Sequence, residues 1–305
     1  MRKFTLLCLV LLFSLSGYSQ DDSNNDTQKS NIQEYTPSKL LKKGQWDINF
    51  FNGLYTQTKS TDEGSTSVDI PRQNFFTSTT EIYTGINDNS RVNIGLIFQV
   101  RANTFGGQDA LSVFSFENNS TDARSGLTVI APSIRFQPIA SVPNFSLTSS
   151  VYLPVFKDTP NAPYLDKRSV FWETKFFYDK TFGGDDWQIF TQMDLGFNFG
   201  EKSQDANSAD SNIGERFANN SLFLPFSAFL SYFPSDKSTI FINGQQAFLV
   251  DLGNDFSQRY TQLGFGGKYQ LSEVLNLEAS FGKIVTGTNF QGLGQTFSLG
   301  LRAIF

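Results

Sequence analysis

The chain has 305 residues, 33 of them phenylalanine, with 15% aromatic residues but only 17% charged ones. That charged share falls short of the roughly one quarter usual in soluble domains, and a net charge of −5 with an isoelectric point near 4.9 argues against nucleic acid as a partner. There is no histidine, which removes Ser–His and Cys–His nucleophile pairs and histidine-bound metal from the available chemistry.

Taken from the start, Met1, Arg2 and Lys3 are basic and the run from Phe4 to Leu15 is apolar. Gly17, Tyr18 and Ser19 then offer small residues before Gln20. This is the pattern of a secretory signal peptide, residues 1–19, with cleavage after about Ser19. The run is too short to cross a bilayer as a helix. The single cysteine, Cys8, lies inside the signal, so the mature chain has neither a disulfide nor a thiol nucleophile. Residues 20–43 are polar and poor in aromatics, with Pro37, Lys39, Lys42 and Lys43 near their end, and read as a flexible periplasmic leader.

From Gly44 the texture becomes alternating. The periodicity predicts twelve strands near 45–57, 74–87, 91–104, 125–138, 143–156, 169–182, 186–200, 220–233, 237–250, 259–271, 274–286 and 295–305. These are about twice the roughly 5–6 residues of strands in a secreted sandwich or propeller, and suffice for the roughly 9–11 that cross a bilayer obliquely. The joins alternate too. Asp88 to Ser90, Ile139 to Val142, Gly183 to Asp185, Pro234 to Asp236 and Ser272 to Glu273 are short. The joins near 58–73, 105–124, 157–168, 201–219, 251–258 and 287–294 are longer and polar. Short periplasmic turns opposite long outer loops, with an even strand count, predict an all-β fold: a transmembrane antiparallel up-and-down barrel over residues 44–305, both termini periplasmic.

Several strands declare their faces. Val92, Ile94, Leu96, Phe98 and Val100 alternate with Asn93, Gly95, Gln99 and Arg101. Trp187, Ile189, Met193, Leu195, Phe197 and Phe199 alternate with Gln188, Gln192, Asp194 and Asn198, with Phe190 an apolar exception. The second and eighth strands are apolar on both faces, as Phe223, Phe226, Phe229 and Phe233 show. The last strand sets Phe297, Leu299, Leu301, Ala303 and Phe305 against Ser298, Gly300 and Arg302, with Ile304 as exception. A terminal strand ending on Phe305 is the expected address for the barrel-assembly machinery, and the lipid face implies outer-membrane lipid and lipopolysaccharide as surroundings. Trp46, Tyr55, Tyr83, Trp172, Tyr178, Trp187, Tyr232 and Tyr269 lie near strand ends and read as an interfacial girdle. An aromatic slide for a sugar or lipid would need rings along one inner wall, which parity does not decide.

The same parity turns Asp47, Glu81, Glu173, Asp179, Asp194 and Glu278 inward, with Arg101, Arg135, Lys175, Lys268 and Arg302. These are the pore-lining candidates. Either the two signs stand on opposite walls and orient small polar solutes, or they pair across the interior and hold it shut. No metal or cofactor signature is present. Asp205, Asp210 and Glu215 in the fourth outer loop could bind a divalent ion, but a solvated loop is the better explanation of them. The glycines from Gly264 to Gly267 sit within a strand and match no phosphate loop.

The stretch from Pro37 through Ser38, Lys39, Leu40, Leu41, Lys42, Lys43, Gly44 and Gln45 to Trp46, followed by Leu54 to Lys59, resembles the opening of outer-membrane barrel proteins of the Bacteroidota, porin-like or transporter-like chains. The resemblance implies a barrel and no particular substrate. The expectation is therefore a passive outer-membrane channel for small polar solutes and not an enzyme. The alternative is a non-conducting barrel that serves as scaffold or accessory subunit of an outer-membrane complex.

Overall fold

A computed structural model of the chain describes residues 38–119, 121–156, 163–167, 169–200, 220–253 and 255–305. The signal segment, leader residues 20–37 and the loop bearing Asp205, Asp210 and Glu215 lie outside the described residues. Twelve strands follow in chain order: β1 (Trp46–Thr61), β2 (Ser67–Gly85), β3 (Val92–Thr104), β4 (Ala123–Phe136), β5 (Phe145–Pro154), β6 (Val170–Phe182), β7 (Trp187–Phe199), β8 (Ser221–Ser235), β9 (Ser238–Asp251), β10 (Gln258–Gln270), β11 (Leu275–Gly287) and β12 (Gln295–Ile304). Each pairs antiparallel with its sequence neighbours, and β1 closes on β12 to complete the barrel. Closure leaves no sheet edge, which is what hydrocarbon requires of a backbone that cannot turn to water.

Burial is inverted relative to a soluble domain. Ile242 is 61% exposed, Phe265 58% and Leu299 52%, whereas Asp47 is 1% and Asp194 5% exposed. Two-residue alternation produces this directly, because successive side chains take opposite faces of the wall. It also settles β8: Phe223, Phe229 and Phe233 share the inward parity of Ser227 and Ser231, and Phe226 is exposed outside.

Short turns and the beginning of β1 share one end of the barrel, the turn end; the longer connections share the other, the loop end. Phe305 joins the turn end through Trp46 N–H to its carbonyl, 2.7 Å. Four features differ from the sequence expectation. The first long join shrinks to a tight hairpin, because β1 and β2 stay paired out to Thr61↔Ser67. These polar strand ends lack an apolar face, so periodicity reads them as loop although the ladder continues.

The second connection carries a short 3-10 helix, Ala110–Ser115, and folds down over the outside of β1–β3. Val113 packs there on Leu54, Phe76 and Ala102. The third connection turns inward: residues 163–167 lie inside the loop half of the barrel. Finally, residues 38–43, the end of the polar leader, pack into the turn-end mouth. Leu41 is buried against Tyr83 and Ile304, and the Asn93 carboxamide brackets it by accepting from its N–H at 3.0 Å and donating to its carbonyl at 3.1 Å. Gly85 permits this close approach, since a Cβ there would collide with the Lys42 carbonyl.

Candidate functional site

A chamber of about 350 Å³ occupies the turn half of the lumen. Of the pore-lining candidates, Asp47, Glu81, Arg135, Lys175, Lys268, Glu278 and Arg302 line it directly. The other four sit elsewhere on the inner wall, with Glu173 beside Lys175, Asp179 and Asp194 on the β6–β7 wall and Arg101 in the loop half.

The charges are arranged as short-range pairs. Asp47 accepts from Arg302 Nε and Nη2, each at 2.9 Å, and from Arg135 Nη1 at 2.9 Å. Arg135 Nη2 donates to Glu81 at 3.0 Å, and the same guanidinium lies 3.4 Å from the centre of the Tyr83 ring. Lys268 meets Glu278 at 2.9 Å across neighbouring strands, and Lys175 meets Glu173 at 3.2 Å, where the Tyr152 hydroxyl also donates at 3.1 Å. Asp194 accepts from Gln192, 2.9 Å to each oxygen, and Asp179 from Gln188 at 3.3 Å. The two signs therefore do not face each other from opposite walls. Pairing wins because isolated charge in a narrow, weakly solvated interior is expensive and an adjacent counter-ion offsets it.

What faces much of the charge is aromatic. Phe177, Phe190, Phe229 and Phe241 come from β6, β7, β8 and β9 in turn, with centroid spacings of 5.9, 5.5 and 5.7 Å. They form one continuous inner ledge, joined by Phe233. Parity marked Phe190 as an exception and left the facing of Phe229 and Phe233 open, but gave no sign of Phe177 or Phe241. The missed signal was pairing: Phe241 stands over Gly266 and Phe51 over Gly300, where a Cβ would come within 2.5 and 2.6 Å of the ring. Large inward rings are thus matched to glycines on the next strand, which flattens them against the wall. The girdle reading is corrected at two positions. Tyr55 and Tyr83 carry the inward parity, and Tyr83 lies flat on Gly95 with its hydroxyl 2.8 Å from Ser133 Oγ. Trp46, Trp172, Tyr178, Trp187 and Tyr269 are exposed on the outer face.

The loop half is narrowed by residues 163–167. The Asn103 amide donates to the carbonyls of Tyr164 at 2.6 Å and Leu165 at 3.0 Å, Arg101 pairs with Asp166 at 2.9 Å, and Leu165 packs on Gly126. From that β3–β4 wall the segment reaches the β6–β8 wall, where Lys167 Nζ donates to Asn198 at 3.4 Å and lies 4.8 and 5.8 Å from the Phe171 and Phe223 ring centres. Burial pushes the Lys167 ammonium below the usual lysine pKa, with Asp166 opposing. Among the described residues no group of three or more acidic side chains is placed to hold a metal ion.

No protein-family model and no curated protein matches the chain. Solved structures do. An outer-membrane channel from Pseudomonas putida F1 superposes with a TM-score of 0.62 at 13% identity, over 94% of this chain and 100% of that one. The β domain of the Bordetella autotransporter Brka gives 0.54 at 12% identity, over 86% and 99%. The chain has the fold of outer-membrane β-barrels. At these identities the likeness speaks for the fold alone.

Proposed function

We propose that this protein is a passive outer-membrane channel for small polar solutes, of the porin-like type its first strand resembles. The long loops would face outward among lipopolysaccharide and both termini the periplasm, with the Phe305 strand as the handle for barrel assembly. The observation that supports this reading is the chamber itself: a closed barrel packed solely for rigidity would fill such a space, whereas here about 350 Å³ is left open and edged with charge. Planar-bilayer recording of the refolded protein tests it. Discrete current steps are expected; well-folded protein that passes no ions would end the channel reading.

One observation favours the second reading, a non-conducting scaffold. Residues 163–167 bridge two walls of the loop half and residues 38–43 fill the opposite mouth. That reading requires a defined partner in native pull-downs, and recovery of this chain by itself would count against it.

A further inference from the structure

Two polar atoms on residues of the chamber floor are left unsatisfied by the fold. Thr239 Oγ1 and Asn276 Oδ1 are buried, on residues 3% and 8% exposed, and have no hydrogen-bond partner. Both residues line the chamber. They are not scattered. Thr239 pairs with Lys268 across β9–β10, Lys268 pairs with Glu278 across β10–β11, and Asn276 lies two residues before Glu278 on the same inward face. Next to Thr239 on that face is Phe241, resting on Gly266 at the end of the aromatic ledge. A buried polar group without a partner is destabilising, so two of them on residues that line one cavity favour a visitor that draws these side chains toward it.

The chemistry of that visitor is constrained. Asn276 Oδ1 needs a donor, and the Thr239 hydroxyl takes either role. Between them the Lys268–Glu278 pair presents a donor and an acceptor side by side, 2.9 Å apart. A carboxylate or an ammonium would meet one like charge there. A hydroxyl both donates and accepts, so it satisfies the pair without disturbing it. The adjacent Phe233 and Phe241 rings want a flat face of C–H groups. Neutral rings with several hydroxyls and an apolar face are sugars.

We propose that the chamber floor formed by Thr239, Lys268, Asn276 and Glu278 against Phe233 and Phe241 binds a neutral sugar of monosaccharide size. This rests on the channel reading for access and names its solute. Two measurements separate the fates of the two ideas. In bilayers, D-glucose is expected to reduce the ion current saturably, while phenol, which has a ring but one hydroxyl, does so less. Current that flows and ignores glucose, or that phenol blocks in preference to glucose, overturns the sugar site and leaves the channel standing. Calorimetry of the full chain in detergent with D-glucose needs no conduction: saturable heat supports the site even if no current is seen, and its absence overturns it. The double variant Thr239→Val, Asn276→Leu removes two unsatisfied groups and keeps shape, so it should fold, as read by heat-modifiable gel migration. Its apparent glucose affinity is expected to fall about tenfold, the equivalent of about 1.4 kcal/mol; an unchanged affinity overturns the assignment.

Discussion

Asp47 on the first strand and Arg302 on the last are held by two 2.9 Å hydrogen bonds, so residues 255 positions apart lock the seam at which the barrel closes. The carboxylate is buried and shared with Arg135 of β4, which ties the seam to the wall three strands away. Removing a shared carboxylate from a buried network takes a counter-charge from each guanidinium it held, at about 3–5 kcal/mol. Asp47→Ala should therefore lower unfolding stability in urea by that order and leave Arg135 and Arg302 repelling each other. An unchanged urea midpoint would mean that the backbone ladder between β1 and β12 closes the barrel without help.

Tyr83 depends on the absence of a side chain at Gly95. A Cβ there would occupy the ring's position, and the ring in turn supports Arg135 and packs on Leu41. Gly95→Val should displace Tyr83, loosen residues 38–43 and destabilise the barrel by about 1–3 kcal/mol, the range for overpacking. Faster amide exchange at Leu41 in the variant is the local readout, and native protection there would contradict it.

Much of this architecture was legible in the residues. Arg91 to Thr104 and Asp186 to Gly200 alternate so regularly that only one facing is available, and it is the one observed. The inward parity of Asp47, Glu278 and Arg302 follows from the same rule. Partner choice was not legible: Asp47 reaches Arg302 and Arg135 only because closure brings β12 and β4 within reach, and periodicity carries no register between distant strands. The aromatic ledge was hidden for a related reason. Phe177, Phe229 and Phe241 look like misplaced lipid-facing residues until neighbouring strands are set in register and the glycine opposite Phe241 is found. Residues 38–43 and 163–167 have no period at all; what fixes them is hydrogen bonding to Asn93 and Asn103.

Glu173 and Asp194 flank Lys175 on the β6–β7 wall. If ions pass here, Glu173→Gln with Asp194→Asn removes two negative charges and leaves the lysine. The reversal potential in a salt gradient should move toward anion preference. An unmoved potential would place the conducting path away from this wall.

Asp166 and Asn103 hold the inward segment to the β3–β4 wall. Asp166→Ala with Asn103→Ala takes away an ion pair and two hydrogen bonds while leaving the sheet register intact. If the barrel conducts, single-channel conductance should rise severalfold, because the segment narrows the loop half of the lumen beyond the chamber. Equal conductance in wild type and variant would show that the bottleneck is at residues 38–43 instead.

The outward-folded connection solves a problem set by three polar residues. Thr56, Asn74 and Thr104 carry the lipid-facing parity of β1, β2 and β3, yet they are buried: Thr56 donates to Asn74 at 2.7 Å, and Asn74 donates to Thr104 at 2.9 Å and to the Asp109 carbonyl at 3.1 Å. The connection caps this chain with backbone and with Val113, and presents Leu111, Phe114 and Phe116 outward in exchange, the first 67% exposed. In a membrane those three side chains belong among acyl chains near the loop-end interface, where unsatisfied polar groups would be costly. Leu111→Trp should therefore be quenched by lipids brominated on their acyl chains and not by an aqueous quencher. The reverse pattern would put the loop in water. Asn74→Leu should separately cost about 1–3 kcal/mol of stability by breaking the buried hydrogen-bonded chain, and an unchanged urea midpoint would contradict that.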